Sequence, residues 1–148
     1  MIPEWLPNLH PLIIHFPIAL WSIAVFFDLI LVIHPKAWLR NMVTLLYCLG
    51  GVSAVAAYLS GEQAIDNVSV PMKAELAAAN HSDWGHYTFY FFAVYGVARA
   101  VSYWKQWDKK KLVAIALVIL GIVGLAVVGI TADKGGKLVY KYGIGTKK

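Results

Sequence analysis

Four stretches of this chain, each of membrane-crossing length, carry almost no formal charge. Residues 5–27 contain no Asp, Glu, Lys or Arg, and residues 41–61 are equally free of them. Residues 84–104 hold only Arg99, and residues 112–132 hold none. A helix needs about 20 apolar residues to cross a hydrocarbon layer roughly 30 Å thick. Inside lipid every backbone polar group must be satisfied within the segment, which selects helices over open strands. Four transmembrane helices are therefore expected. Composition agrees, with 59% of the 148 residues hydrophobic and 14% charged, where a soluble domain carries about 25% charged residues. The length allows one domain. A disulfide scaffold is excluded because Cys48 is the sole cysteine. The net charge of +5 comes from basic residues scattered between apolar runs, so nucleic-acid binding is not expected. No basic segment precedes Leu6 and no small-residue cleavage site follows Leu20, which argues against a signal peptide.

The expected fold is all-α: an integral membrane four-helix bundle with a short periplasmic loop helix and an extended C-terminal tail. Breakers place the helices at about 11–34, 36–60, 83–104 and 110–131. Pro35 disfavours helix at His34. Pro11 suits a first turn, whereas Pro17 cannot donate to the carbonyl of Ile13 and should loosen the ladder there. Gly61 reads as a residue just past a helix end, and Ser82 or Asp83 as an N-cap. Pro71 and the alanines permit a surface helix within 72–80. The tail, 132–148, begins before Gly135-Gly136 and alternates apolar and polar residues. No internal repeat is legible. Short-loop lysines and arginines set the orientation: Lys36, Arg40, Lys105, Lys109, Lys110 and Lys111 follow helices 1 and 3, while the 61–83 loop has only Lys73. Both termini are placed outside, with the tail lysines discounted because early helices dominate.

Four of the five histidines, His10, His15, His81 and His86, belong to the starts of helices 1 and 3 and so converge on the outer face; His34 stands alone at the inner one. Within each pair the spacing is five residues, which in a regular helix means about 140° of rotation beyond a full turn and a rise of ~7.5 Å. Two such rings face one point only where the backbone departs from helix, as Pro11, Pro17 and the pre-cap position of His81 allow. Opposed histidines at matched depth are what bis-histidine haem ligation needs. The same imidazoles also suit copper or zinc. Taken one at a time, each is better accounted for as an interfacial, hydrogen-bonded side chain.

The segment NLHPLIIHFPIAL at residues 8–20, the glycines Gly50, Gly51 and Gly61 of the second run, the histidine opening helix 3 and the closing GGKLVYKYGIG resemble the DUF2231 family of bacterial membrane proteins. The resemblance spans nearly the whole chain. Some members of that family occur fused to or beside c-type cytochrome domains, which implies a redox role and favours haem b over copper or non-haem iron. It carries over onto His10, His15 and His81 more securely than onto His86.

Several other residues are candidates for such a site. Gly50 and Gly51, with Gly121 and Gly124, offer room beside a macrocycle, though close helix packing explains small residues equally well. Lys137, Tyr140 and Lys141, with Tyr142, lie on the correct side to meet haem propionates if the tail folds back over the site; a solvated basic end is the alternative. Asp28 and Arg99 sit at similar depth and should form a buried ion pair, since an unpaired charge there is costly. The six tryptophans lie mostly near run ends, as an interfacial belt would place them.

The expected function is a b-type cytochrome subunit of the bacterial inner membrane, exchanging electrons at the periplasmic face. Axial ligands are expected from His15 and His81, or from His10 and His86, and one haem is favoured over two. The expected partners are the lipid bilayer, a periplasmic cytochrome c or other redox subunits, and quinol. Only His34 lies at the inner face, so this chain alone should not carry electrons across the bilayer through haem. The alternatives are a non-catalytic scaffold subunit of a respiratory or photosynthetic complex, and a histidine-rich copper or iron site. An electron-transfer role fits bis-histidine iron, which has no open coordination position, better than an enzyme does.

Overall fold

The computed structural model describes residues 9–145, and all regular structure among them is helical. A single turn, α1 (His10–Ile13), leads into α2 (His15–Ile33). Then follow α3 (Ala37–Asn67), α4 (Glu75–Trp104) and α5 (Lys111–Tyr140), with 3-10 turns at Met72–Ala74 and Trp107–Lys109. The break at Ile14 lies one turn before Pro17, whose missing N–H leaves the ladder open there. Helix α2 stops at Ile33, before His34-Pro35, as the proline requires.

Three expected boundaries are corrected. Helix α3 runs past Ser60 and Gly61 to Asn67, because Glu62, Gln63 and Ala64 are good helix formers; Gly61 is a mid-helix residue, not a terminator. The expected loop helix is the first part of α4: Glu75 and the alanines start it, and Ser82 and Asp83 lie inside it rather than capping it. Residues 132–140 of the expected tail are helical, not extended. Helix α5 continues through Gly135-Gly136 to Tyr140, so the chain does not fold back over the bundle before that point.

Among the described residues three segments, His10–Ile33, Ala37–Ile65 and Lys111–Tyr140, are long and apolar enough to cross a membrane. Helix α4 matches them in length but is less apolar, since Arg99 and the histidine, threonine and tyrosines of residues 86–90 interrupt it. The outward surface is greasy: Phe16, Phe26, Leu45, Val52 and Val94 are all exposed.

Around the bundle the order is α2, α3, α4, α5, each helix packing on its neighbours in the chain and α5 closing the ring onto α2. The core sits where the diagonals cross. Trp21 stacks on Phe92 with ring centroids 3.6 Å apart, and Tyr47 and Tyr95 meet it edge-on and tilted. The Trp21 indole N–H donates to the Gly121 carbonyl at 2.9 Å. Trp21 is thus fully buried rather than interfacial, because Gly50 and Gly124 leave room for its ring among the core aromatics. Trp38, Trp104 and Trp107 do lie exposed near helix ends; Trp5 lies outside the described residues. Asp28 and Arg99 form the expected ion pair, both buried. At the end away from the start of α1, Arg40 grips Asp108 through two hydrogen bonds of 2.7 and 2.8 Å and donates to the Tyr103 carbonyl, tying α3 to the α4–α5 connection.

Although no repeat is legible in the sequence, helix ends recur at fixed offsets. Helix α2 ends at Ile33 and α4 at Trp104, 71 residues on; α3 starts at Ala37 and α5 at Lys111, 74 on.

Candidate functional site

His10, the first residue of α1, lies across α3. Its Nδ1 is 3.0 Å from the Ala57 carbonyl and 3.0 Å from Ser60 Oγ, which itself donates to the same carbonyl. A carbonyl only accepts, so the ring proton sits on Nδ1. Beneath the ring is Gly61, one helical turn beyond Ala57; a Cβ there would lie 3.0 Å from His10 Cε1. The imidazole reaches the carbonyl because Gly61 has no side chain.

His81, nearly two turns inside the start of α4, repeats this against α5. Its Nδ1 donates to the Thr131 carbonyl at 3.2 Å. Gly135, again one turn further on, lies under the ring, and a Cβ there would be 2.9 Å from His81 Cε1. Thr131 is held in turn by Thr88, whose hydroxyl is 2.7 Å from its own, and by the Trp84 carbonyl at 3.0 Å. Burial pushes the His81 imidazole below its ordinary pKa, against the opposing pull of the Thr131 carbonyl; His10 and Lys134, both within electrostatic reach, lower it further. His81 is therefore neutral at pH 7.

The two rings share a chemistry. Each has Nδ1 committed to a backbone carbonyl, and neither Nε2 has a hydrogen-bond partner among the described residues. Metal-bound histidines show this arrangement, since a carbonyl on one nitrogen fixes the tautomer and makes the other more basic.

The remaining candidates are placed differently. His86 has both nitrogens occupied: Nδ1 donates to the Ser82 carbonyl at 2.9 Å, and Nε2 accepts from the Tyr58 hydroxyl at 3.2 Å. His15 is exposed on α2. His34 is exposed at the opposite end. Gly50 and Gly51 lie in the helix contacts, not beside the histidines: a Cβ on Gly50 would meet Trp21 at 3.4 Å and one on Gly51 the Phe92 carbonyl at 3.0 Å. Gly121 and Gly124 likewise admit Tyr47 and Trp21. Lys137 pairs with Asp133 on the outside of α5, Tyr140 is exposed, and Lys141 lies over the Tyr142 ring. Among the described residues no group of three or more His, Cys, Asp or Glu side chains converges on one point.

Sequence reasoning missed Gly61 and Gly135 as ring platforms, and it missed Ala57, Ser60 and Thr131 as partners of the rings. Their contribution is a backbone carbonyl, a hydroxyl or the lack of a side chain, none of which marks a residue in a sequence.

A family model described as "Predicted membrane protein (DUF2231)" matches residues 6–148. Neither the curated proteins nor the solved structures give a match.

Proposed function

Since the chain belongs to the DUF2231 family of predicted membrane proteins, we propose that it is a four-span b-type cytochrome subunit of the bacterial inner membrane. His10 and His81 hold one haem b. The observation that carries this reading is the matched pair of imidazoles, each on a glycine, each with Nδ1 bonded to a carbonyl and Nε2 unused. Two protein nitrogens suit a porphyrin iron, because the macrocycle supplies the other four ligands. A bare copper or zinc ion takes three or four protein ligands, and no such group converges among the described residues. The pairing differs from the expected His15 with His81: His15 faces out from the bundle and His86 is engaged by Tyr58.

Bound haem would store one electron at a time on its iron. The chain's own residues do the rest: Ala57 and Thr131 orient the rings, Gly61 and Gly135 admit them, and neutral His81 is ready to ligate. Lys134 lies 5.7 Å over the Trp84 ring beside His81, where it offers a cation to a propionate.

Helix α4 is the fourth span over residues 84–104, with Arg99 carried as a neutral pair with Asp28. Lys36, Arg40, Lys105 and residues 109–111 lie at the end away from His10 and His81, so the positive-inside rule puts the histidine end and both termini in the periplasm. Electrons are then exchanged at that face with a periplasmic cytochrome c, another redox subunit or quinol.

The test is a reduced-minus-oxidised spectrum of the full-length protein purified in detergent after expression with haem supply. Sharp α and Soret bands at about one haem per chain, lost in His10→Ala and in His81→Ala, are expected. A colourless wild-type protein, or one whose bands survive both substitutions, overturns the reading.

A further inference from the structure

Buried positions in one half of the chain map onto buried positions in the other. Moving the five buried residues of α2, Pro17, Trp21, Ala24, Val25 and Asp28, forward by 71 gives Thr88, Phe92, Tyr95, Gly96 and Arg99, every one buried in α4. Moving the five buried residues of α5, Leu117, Val118, Gly121, Gly124 and Val128, back by 74 gives Val43, Thr44, Tyr47, Gly50 and Ala54, every one buried in α3. The change of offset is the connection: residues 34–36 join α2 to α3, whereas residues 105–110 join α4 to α5 and are three longer. The same offsets relate His10 to His81, His15 to His86, Ala57 to Thr131 and Gly61 to Gly135.

Helical periodicity alone would align faces, but it would not bring counterparts into contact. Here they meet. Trp21 stacks on Phe92 at 3.6 Å, Asp28 pairs with Arg99 at 2.7 Å, and the hydroxyl of Tyr47 occupies the place a Cβ would take on its counterpart Gly121. Gly50 and its counterpart Gly124 both pack against the Trp21 ring. A residue touches its own equivalent only at a two-fold axis. Because α2 and α4 run in the same direction, that axis runs along the bundle.

We infer that the chain is a fused dimer of one helix hairpin, α1–α3 joined to α4–α5, and that His10 and His81 form a single site on its two-fold axis for a flat ligand that takes the same donor on both faces. The second clause rests on the haem reading above; the first does not. The axis also accounts for the uneven fate of the other two histidines. His86 is bonded to Tyr58, and the residue equivalent to Tyr58 is Ala132, so His15 lacks a hydroxyl to hold it. Symmetry is kept at the axial pair and broken beside it.

Exchange across the axis tests the duplication in the full-length protein. Asp28→Arg and Arg99→Asp are made singly and together, and so are Trp21→Phe and Phe92→Trp, with melting temperature in detergent as the readout. On a two-fold axis each double exchange restores the same pair in an equivalent setting. The doubles should recover at least half of the melting-temperature loss of the worse single. Doubles that melt no higher than the worse single, in both sets, overturn the duplication. For the site, the haem-to-protein ratio should fall at least tenfold in both His10→Ala and His81→Ala; loss in only one of them overturns the axial assignment. A wild-type chain that takes up no haem removes the site clause together with the proposed function, while the exchanges still decide the duplication.

Discussion

Asp28 and Arg99 face each other across the middle of the bundle through two hydrogen bonds, 2.7 and 3.0 Å long, and are only 2% and 1% exposed. The guanidinium is further enclosed by the Tyr47 ring, 5.2 Å from its centre. A charge at this depth is tolerated only with its partner. Asp28→Asn therefore leaves Arg99 uncompensated and should destabilise the fold by about 3–5 kcal/mol. Thermal unfolding in detergent measures this, and Asp28→Glu, which keeps the charge, should lose less.

Gly124 is where α5 meets the aromatic core. A Cβ there would lie 2.7 Å from Trp21 Cζ2 and 2.8 Å from Phe91 Cε1. Trp21 cannot retreat, because Phe92 is stacked on its other side. Gly124→Ala should cost about 1–3 kcal/mol by overpacking. Gly129, on the same helix, has nothing within 4 Å of such a Cβ, so Gly129→Ala should leave the melting temperature unchanged or raise it slightly.

A Cβ added at Gly61 or Gly135 would lie 3.0 or 2.9 Å from Cε1 of His10 or His81. Leucine at either place displaces an imidazole from its carbonyl without altering the ligand itself. Gly61→Leu and Gly135→Leu should each lower the haem-to-protein ratio by roughly the hundredfold at the upper end of outer-shell effects, with helix content by circular dichroism unchanged. Undiminished haem in both would show that the glycines matter to packing alone.

Acidification should release the site. The His81 pKa lies below the ordinary 6.5 because burial disfavours the cation. The neutral, ligating form therefore persists from alkaline pH down past 6.5, and ligation is lost as the pH falls further. Its effect on stability has the same sign. The unfolded chain takes up this proton first, so stability drops as pH is lowered through and below 6.5. A spectrophotometric titration from pH 8 to pH 4.5 follows the first effect; in His81→Ala the remaining pH dependence of melting should be shallower.

The sequence by itself settled what local rules can settle. Charge-free length chose helices, Pro35 ended α2, and the matched depths of Asp28 and Arg99 implied their pair. It also put four histidines at one end of the bundle, since that follows from counting alternating spans. Helix ends at Gly61, at Ser82-Asp83 and at Gly135-Gly136 misled, because these residues are weak breakers in water-exposed chain and are overridden where packing holds the helix straight. Only the tertiary structure gave His10 and His81 their matching surroundings. The groups that select His10 and His81 are carbonyls and glycines about 50 residues away along the chain, and backbone atoms look alike at every position until folding brings one beneath a ring. The two-fold repeat was hidden for the same reason. Burial and mutual contact across the axis ask for complementary partners rather than identical ones, so tryptophan faces phenylalanine and aspartate faces arginine.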